Sequence, residues 1–384
     1  MKKILVVHNF YRNFGGEDSN IHEEIKFLKQ KYEVEFFYTK NSNKLKIVDF
    51  LTLFLRNNFF LTKKFKSKID SFNPDFVYIH NTWFTINLGI FRVLKKKNIN
   101  TIVKIHNFRY ECSRYFLSKN HLKSNESCNA CGFKKKKLLI YNKYFEESYL
   151  KSLALFFYSL RYYRILKNNK LTVIAITNFH KTKLIKNGIK KNNIHVINNP
   201  INFFSGENKE KKNRIVYAGR ISKEKGIDEL IKAFINSELV NYQLLIIGDG
   251  NIKDEVKKKY SQVSSVIFQD FLPNKDVLEI ISTSKAVITA TKLFEGQPRL
   301  LCEASSMRTI SIFPSFGGME DFFPEDYIYK FEQFNYLDLV KKINLLANDE
   351  KRINLEEKIF NYTKNMLSSQ VIHKKFEDLI SEYE

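Results

Sequence analysis

The chain has 384 residues, 43% of them hydrophobic, with only 13 Gly and 6 Pro; this excludes a disordered or collagen-like polymer and suffices for two domains, each with its own core. With 64 Lys and Arg against 41 Asp and Glu, the formal net charge is +23, which favours an anionic partner such as a membrane surface, a nucleic acid or a phosphorylated substrate. Four cysteines in a chain this long do not make a disulfide framework.

Met1-Lys2-Lys3 runs straight into Ile4-Leu5-Val6-Val7, which is too short for a secretory apolar region and reads as a strand. No run of about 18 uninterrupted apolar residues occurs, so no transmembrane helix is expected, and the cytoplasm is the default compartment. Further strand-like runs follow at Val34 to Tyr38, Phe76 to Ile79, Thr101 to Ile105 and Thr172 to Ile176. Ile21, Ile25 and Leu28 keep helical spacing after Gly15-Gly16, with Ser19 as a cap. Buried strands separated by helices predict a parallel sheet with right-handed crossovers. The polar, lysine-rich stretch from Ser205 to Asn213 reads as a linker. Beyond it, strands are predicted at Ile215 to Ala218, Leu244 to Ile247, Val266 to Phe268, Ala286 to Thr289 and Thr309 to Phe313. The fold class is therefore α/β, with two Rossmann-like domains facing an interdomain cleft. The first spans 1–200 and is completed by a C-terminal helix at about 365–384; the second spans 201–364.

The most informative segment is Phe294-Glu295-Gly296-Gln297-Pro298-Arg299-Leu300-Leu301-Cys302-Glu303-Ala304. Gly296 and Pro298 mark a turn, and proline suits the start of a helix. Glu295 then lies in the loop at the helix mouth and Glu303 on the helix, a little over two turns away. Free N–H groups and the dipole make that mouth a pole for anions. Carboxylates that grip hydroxyls, beside a pole that attracts phosphate, suit a sugar nucleotide.

The two glutamates resemble the E-x7-E signature of retaining glycosyltransferases of the GT-B fold, glycosyltransferase family 4. Tyr217-Ala218-Gly219-Arg220-Ile221-Ser222-Lys223-Glu224-Lys225-Gly226 resembles the family's Gly-Arg…Lys-Gly segment. Gly15-Gly16 resembles its N-terminal phosphate-side loop, and Gly248-Asp249-Gly250 its GDG turn. Asp270-Phe271-Leu272-Pro273 falls in the loop that borders the nucleobase. His106, at the end of a strand, falls where the family has a histidine near the transferred sugar. The common Gly-Phe-Gly after the first glutamate is Gly296-Gln297-Pro298 here, so phosphate contacts fall to amides such as those of Arg299 and Leu300. The resemblance spans nearly the whole chain and is more specific in its C-terminal half.

The resemblance implies sugar transfer from a nucleoside diphosphate to a hydroxyl with retained configuration. It assigns Arg220 and Lys225 to the diphosphate, Glu295 to the sugar hydroxyls, Glu303 to the ribose and His106 to the sugar. Gly15, Gly16 and Gly219 line the donor side with Phe271, Leu272, Arg299 and Leu300. With two cations on the diphosphate no metal or other cofactor is required, and the nucleotide sugar is the co-substrate. Two basic, aromatic segments, Leu45 to Ile69 and Phe133 to Lys170, read either as helices on an anionic membrane surface or as ordinary helices with a solvated basic face. Family habit with lipid-linked acceptors implies a polyprenyl-diphosphate-linked glycan and a cytoplasmic enzyme peripheral on the inner face of the cell membrane. No nucleic acid is expected as a partner; a basic nucleic-acid-binding protein and a sugar-nucleotide epimerase of the same fold are the rival readings. Cys112, Cys128 and Cys131 form a C-x15-C-x2-C set, open between a zinc site completed by His121 and free or paired loop thiols.

Overall fold

The computed structural model describes residues 1–11, 16–41, 52, 55, 57–108, 110, 148–204 and 209–383. The chain divides into two compact units. Among the described residues, the first takes 1–110, 148–198 and 376–383, and the second takes 199–375.

The first unit is built on β1 (Lys3–Phe10), β2 (Glu33–Lys40), β3 (Phe76–Ile79), β4 (Asn100–Ile105), β5 (Leu171–Ala175) and β6 (Ile194–Val196). They form one parallel sheet in the order β2-β1-β3-β4-β5-β6. Ile4, Leu5, Val6 and Val7 are all fully buried, as a central strand covered on both faces requires. Each such side chain contributes about 1.5–3 kcal/mol on leaving water. The helices are α1 (Gly16–Leu28), α2 (Phe59–Phe72), α3 (Ile90–Lys97), α4 (Tyr149–Leu166) and α5 (Asn178–Lys186). Ser19 is not a cap: the helix already runs from Gly16, which places Ser19 inside its first turn. In α2 the Asn58 side chain accepts from the Leu61 N–H at 3.1 Å, and Asn73 ends the helix in the left-handed region, just ahead of Pro74.

The second unit repeats the plan with β7 (Lys212–Ala218), β8 (Gln243–Ile247), β9 (Val266–Gln269), β10 (Ser284–Ile288), β11 (Ile310–Ser315) and β12 (Lys330–Glu332). All neighbours are parallel, in the order β12-β11-β10-β7-β8-β9. Its helices are α6 (Ile227–Ile235), α7 (Lys253–Lys259), α8 (Asn274–Ser282), α9 (Arg299–Ser306), α10 (Tyr336–Asn344) and α11 (Asp349–Leu367). The linker read from Ser205 to Asn213 is shorter than expected at its end. Lys212 and Asn213 belong to β7, because Lys212 pairs in register with Ser284 of β10. A last helix, α12 (Ser369–Ser381), follows α11 after Ser368. Its Phe376, counted with the first unit, lies 5.2 Å from the Tyr78 ring of β3.

Both sheets therefore have a switch point, where the connections that follow two adjacent strands run in opposite directions: between β1 and β3 in one unit, and between β7 and β10 in the other. Ligands in open parallel sheets bind at the carboxyl ends of strands flanking such a point.

Candidate active site

At the second switch point, the loop after β7 meets the loop after β10. Lys225 ends a single 3-10 turn, Lys223–Lys225, and its ammonium forms an ion pair with Glu295 Oε1. Thr291 Oγ1 donates to the same oxygen at 3.2 Å. The contact depends on Gly226. Its φ is +68°, and a Cβ there would lie 2.1 Å from the Ala290 carbonyl oxygen. Only a residue without a side chain lets the first loop press this closely against the end of β10. Lys292 fastens the same junction, its N–H donating to the Glu224 carbonyl at 2.9 Å and its ammonium reaching Glu229 at 2.6 Å.

Arg220 lies in the same loop, but its side chain is 62% exposed and pairs with Glu224 at 2.8 Å. Exposed pairs of this kind are worth little, so the guanidinium can exchange Glu224 for an anionic ligand at small cost. Behind it, the Tyr217 hydroxyl donates to the Arg220 carbonyl at 2.8 Å. Burial, with the Glu295 charge nearby, pushes that phenol well above its usual range, so it stays a neutral donor. Gly248 opens the Gly-Asp-Gly turn at φ +141°, and a Cβ there would meet the Gly219 carbonyl oxygen at 2.0 Å. The turn thus serves to pack two loop backbones against each other.

The second acid sits deeper. Pro298, at φ −76°, precedes α9, whose first residue is Arg299. Glu303 is 7% exposed, and its Oε1 accepts from Arg299 Nε at 2.7 Å and from Asn274 Nδ2 at 3.3 Å. Asn274 was not read from the sequence; it opens α8 directly after Pro273, where only the fold brings it to Glu303. Gln297 has a purpose of its own: its amide accepts from the Asn199 N–H at 2.7 Å and donates to the Asn199 carbonyl at 2.9 Å. Leu272 and Leu300 are half-buried against the core of this unit, whereas Phe271 is 77% exposed. The structure thus joins Lys225 to Glu295 directly, keeps Arg220 in the same loop paired with Glu224, and holds Glu303 with Arg299.

At the first unit's switch point the sequence reading named only His106 and the glycine pair. Gly16 opens α1, while Gly15 lies outside the described residues. His106 stands just past β4 and is stacked on His80, just past β3, with His80 Nδ1 3.0 Å from His106 Nε2. Beneath them Glu24 of α1 accepts from Lys104 Nζ at 3.2 Å on both oxygens and from the Tyr78 hydroxyl at 2.6 Å. His8 of β1 bonds Asp18 at 2.8 Å, both fully buried. Burial holds both His80 and His106 well below the usual imidazole range; the Lys104 charge adds to this for His80, and His80 and Lys104 add to it for His106. A signal for the cluster was present in the sequence. Tyr78-Ile79-His80 and Lys104-Ile105-His106 repeat a polar, apolar, histidine pattern at two strand ends, and residues two apart share a sheet face.

Cys112, Cys128, Cys131 and His121 lie outside the described residues. Helix α4 turns Ala154, Leu155, Tyr158 and Tyr162 into the core, and leaves Tyr149, Leu150, Phe157 and Leu160 exposed. Among the described residues no helix is long and apolar enough to cross a membrane.

Two doubly wound parallel sheets, each with polar loops at its switch point, define the GT-B architecture. A family model described as Glycosyltransferase Family 4 matches residues 15–203, and one described as Glycosyl transferases group 1 matches residues 198–366. The chain belongs to this family of glycosyltransferases. It is 25% identical over 222 residues to the amylovoran biosynthesis glycosyltransferase AmsD of Erwinia amylovora, a match covering 54% of this chain and 62% of that protein. It is also 25% identical over 232 residues to the capsular polysaccharide biosynthesis glycosyltransferase CapM of Staphylococcus aureus, covering 56% of this chain and 57% of that one. These matches span under two thirds of either relative. Among solved structures, the lipopolysaccharide outer core galactosyltransferase WaaB, in its apo form, shares the fold over 100% of both chains, with a TM-score of 0.67 and 18% identity.

Proposed function

We propose that this protein moves a sugar from a nucleoside-diphosphate donor to a hydroxyl acceptor with retention of anomeric configuration. The carrying observation is the Lys225–Glu295 pair at the β7/β10 switch point, with Arg220 in the same loop. In this reading the donor's diphosphate takes Lys225 and Arg220 from their carboxylate partners, and Glu295 turns to the sugar hydroxyls. The bond between C1 and the phosphate oxygen breaks, and its electron pair leaves with the diphosphate. The two cations neutralise that developing charge. The acceptor oxygen bonds to C1 from the same face, and its proton passes to a diphosphate oxygen. No metal is needed when two cations serve the leaving group. Glu303, held by Arg299 and Asn274, takes the ribose, and His106 takes the sugar.

The acceptor is read as a lipid-linked intermediate of a surface polysaccharide, at the inner face of the cell membrane. Support comes from the amylovoran and capsular relatives and from exposed apolar side chains on the two basic segments: Leu55, Phe59 and Phe60 on one, Tyr149, Leu150, Phe157 and Leu160 on the other. The test is a panel of nucleotide sugars assayed for acceptor-dependent nucleotide release, with product configuration read by NMR. Lys225→Ala and Glu295→Ala should each lower kcat/KM by roughly 10²–10³-fold. Release that ignores both substitutions, or an isomerised nucleotide sugar formed without acceptor, would overturn the reading.

A further inference from the structure

We infer that His80 is a positioning residue that fixes His106 in a single tautomer, with its proton on Nε2 and its lone pair on Nδ1. The inference rests on the proposed assignment of His106 to the sugar, and names how that ring is prepared for it. The two imidazoles stack with centroids 5.3 Å apart and planes 19° apart, and one proton is shared across the 3.0 Å contact between His80 Nδ1 and His106 Nε2. Which ring donates is decided by the far side of His80. There His80 Nε2 faces Glu24 Oε2 at 3.9 Å. Glu24 already accepts from Lys104 Nζ and from the Tyr78 hydroxyl, and a carboxylate facing those donors presents His80 with an acceptor. A proton on His80 Nε2 therefore lies toward negative charge. Neutral His80 then carries its lone pair on Nδ1 and must accept from His106 Nε2–H.

His106 is left with an acceptor at Nδ1, which has no hydrogen-bond partner among the described residues. The other charged and titratable groups around the pair are Lys104 on β4, Tyr78 on β3, and His8 on β1 with its Asp18 partner on α1. Burial, aided by Lys104 and His8, opposes a second proton on either ring and outweighs the pull of Glu24 on His106, so the pair stays neutral. A neutral acceptor suits a ring that takes a hydrogen bond from a sugar hydroxyl, and it cannot serve as a general acid. The chain Glu24–His80–His106 therefore sets the direction of that bond before the sugar arrives.

The test begins with the unmodified full chain, labelled with 15N-histidine and read by long-range 15N–1H correlation. His106 is assigned by its loss in His106→Gln. A pyrrole-type Nε2 and a pyridine-type Nδ1 are expected; a protonated Nδ1 would overturn the inference. In His80→Leu, the His106 signals should average between tautomers and kcat should fall roughly 10–100-fold, as when a partner that orients a working histidine is removed. His80→Asn, whose carbonyl can replace the Nδ1 acceptor, should restore both the single tautomer and most of the rate. A wild-type tautomer and rate in His80→Leu, or equal losses in both variants with unchanged signals, would refute the positioning role. Should the leucine variant fail to fold, the spectrum of the unmodified protein still decides the tautomer. If no nucleotide sugar is turned over, the proposed function fails while that spectrum is unaffected.

Discussion

Gly226→Ala isolates the contact on which the second site is built. Two effects can be worked out separately. Alanine at φ +68° pays about 1–2 kcal/mol for the left-handed region. Its Cβ would also lie 2.1 Å from the Ala290 carbonyl oxygen, where a relaxed carbon–oxygen contact needs about 3.3 Å. The loop must therefore retreat by about 1 Å from the end of β10, since backbone is met on the far side. Lys225 precedes this residue and Glu295 follows Ala290 by five positions, so the ion pair opens by a similar amount. A misplacement of that size costs roughly 10²-fold in rate. Gly188→Ala is the control: its φ is +87°, but its Cβ would meet only the flexible end of Lys167, in the other unit. Urea denaturation should show losses of about 1–2 kcal/mol for the control and more for Gly226→Ala. Acceptor-dependent nucleotide release should fall roughly 10²-fold for Gly226→Ala alone. Equal stability and equal activity in the two variants would refute the reasoning that the close approach, and not the backbone angle, holds the site together.

Gln297→Ala removes both hydrogen bonds to the Asn199 main chain and should cost about 1–3 kcal/mol in urea with an unchanged m-value; an unaltered midpoint would show that the loop holds itself. His180 is fully buried, neither ring nitrogen has a hydrogen-bond partner among the described residues, and burial lowers its pKa to about 3. In the unfolded chain the same ring takes a proton near 6.5, so between those values the unfolded state binds more protons and stability falls as pH falls. Relative to His180→Phe, the wild type should lose about 1.4 kcal/mol per pH unit below pH 6.5 and nothing above it. His80 and His106 titrate in both proteins and cancel in the difference. Parallel stability curves across pH 4–6 would contradict a buried neutral His180.

The amino-acid order alone determined the fold class, and the reason is local. Apolar runs such as Ile4–Val7 and Ala286–Ile288 are buried on both faces, so their composition differs sharply from the helices between them. The same runs place Arg220, Lys225, Glu295 and His106 just past strand ends, because a residue's position along a strand follows from counting. The edge strands Ile194–Val196 and Lys330–Glu332 were not legible: three residues carry too little periodicity. Only tertiary structure decided who meets whom. That Lys225 is paired with Glu295, seventy positions away, follows from β7 and β10 being neighbours. That Glu24, Tyr78, His80, Lys104 and His106 form one polar cluster follows from β3 and β4 being neighbours and from Glu24 of α1 reaching Tyr78 and Lys104. Sequence spacing fixes the face on which a side chain lies, but the order of strands in the sheet, set by long-range packing, chooses its partner.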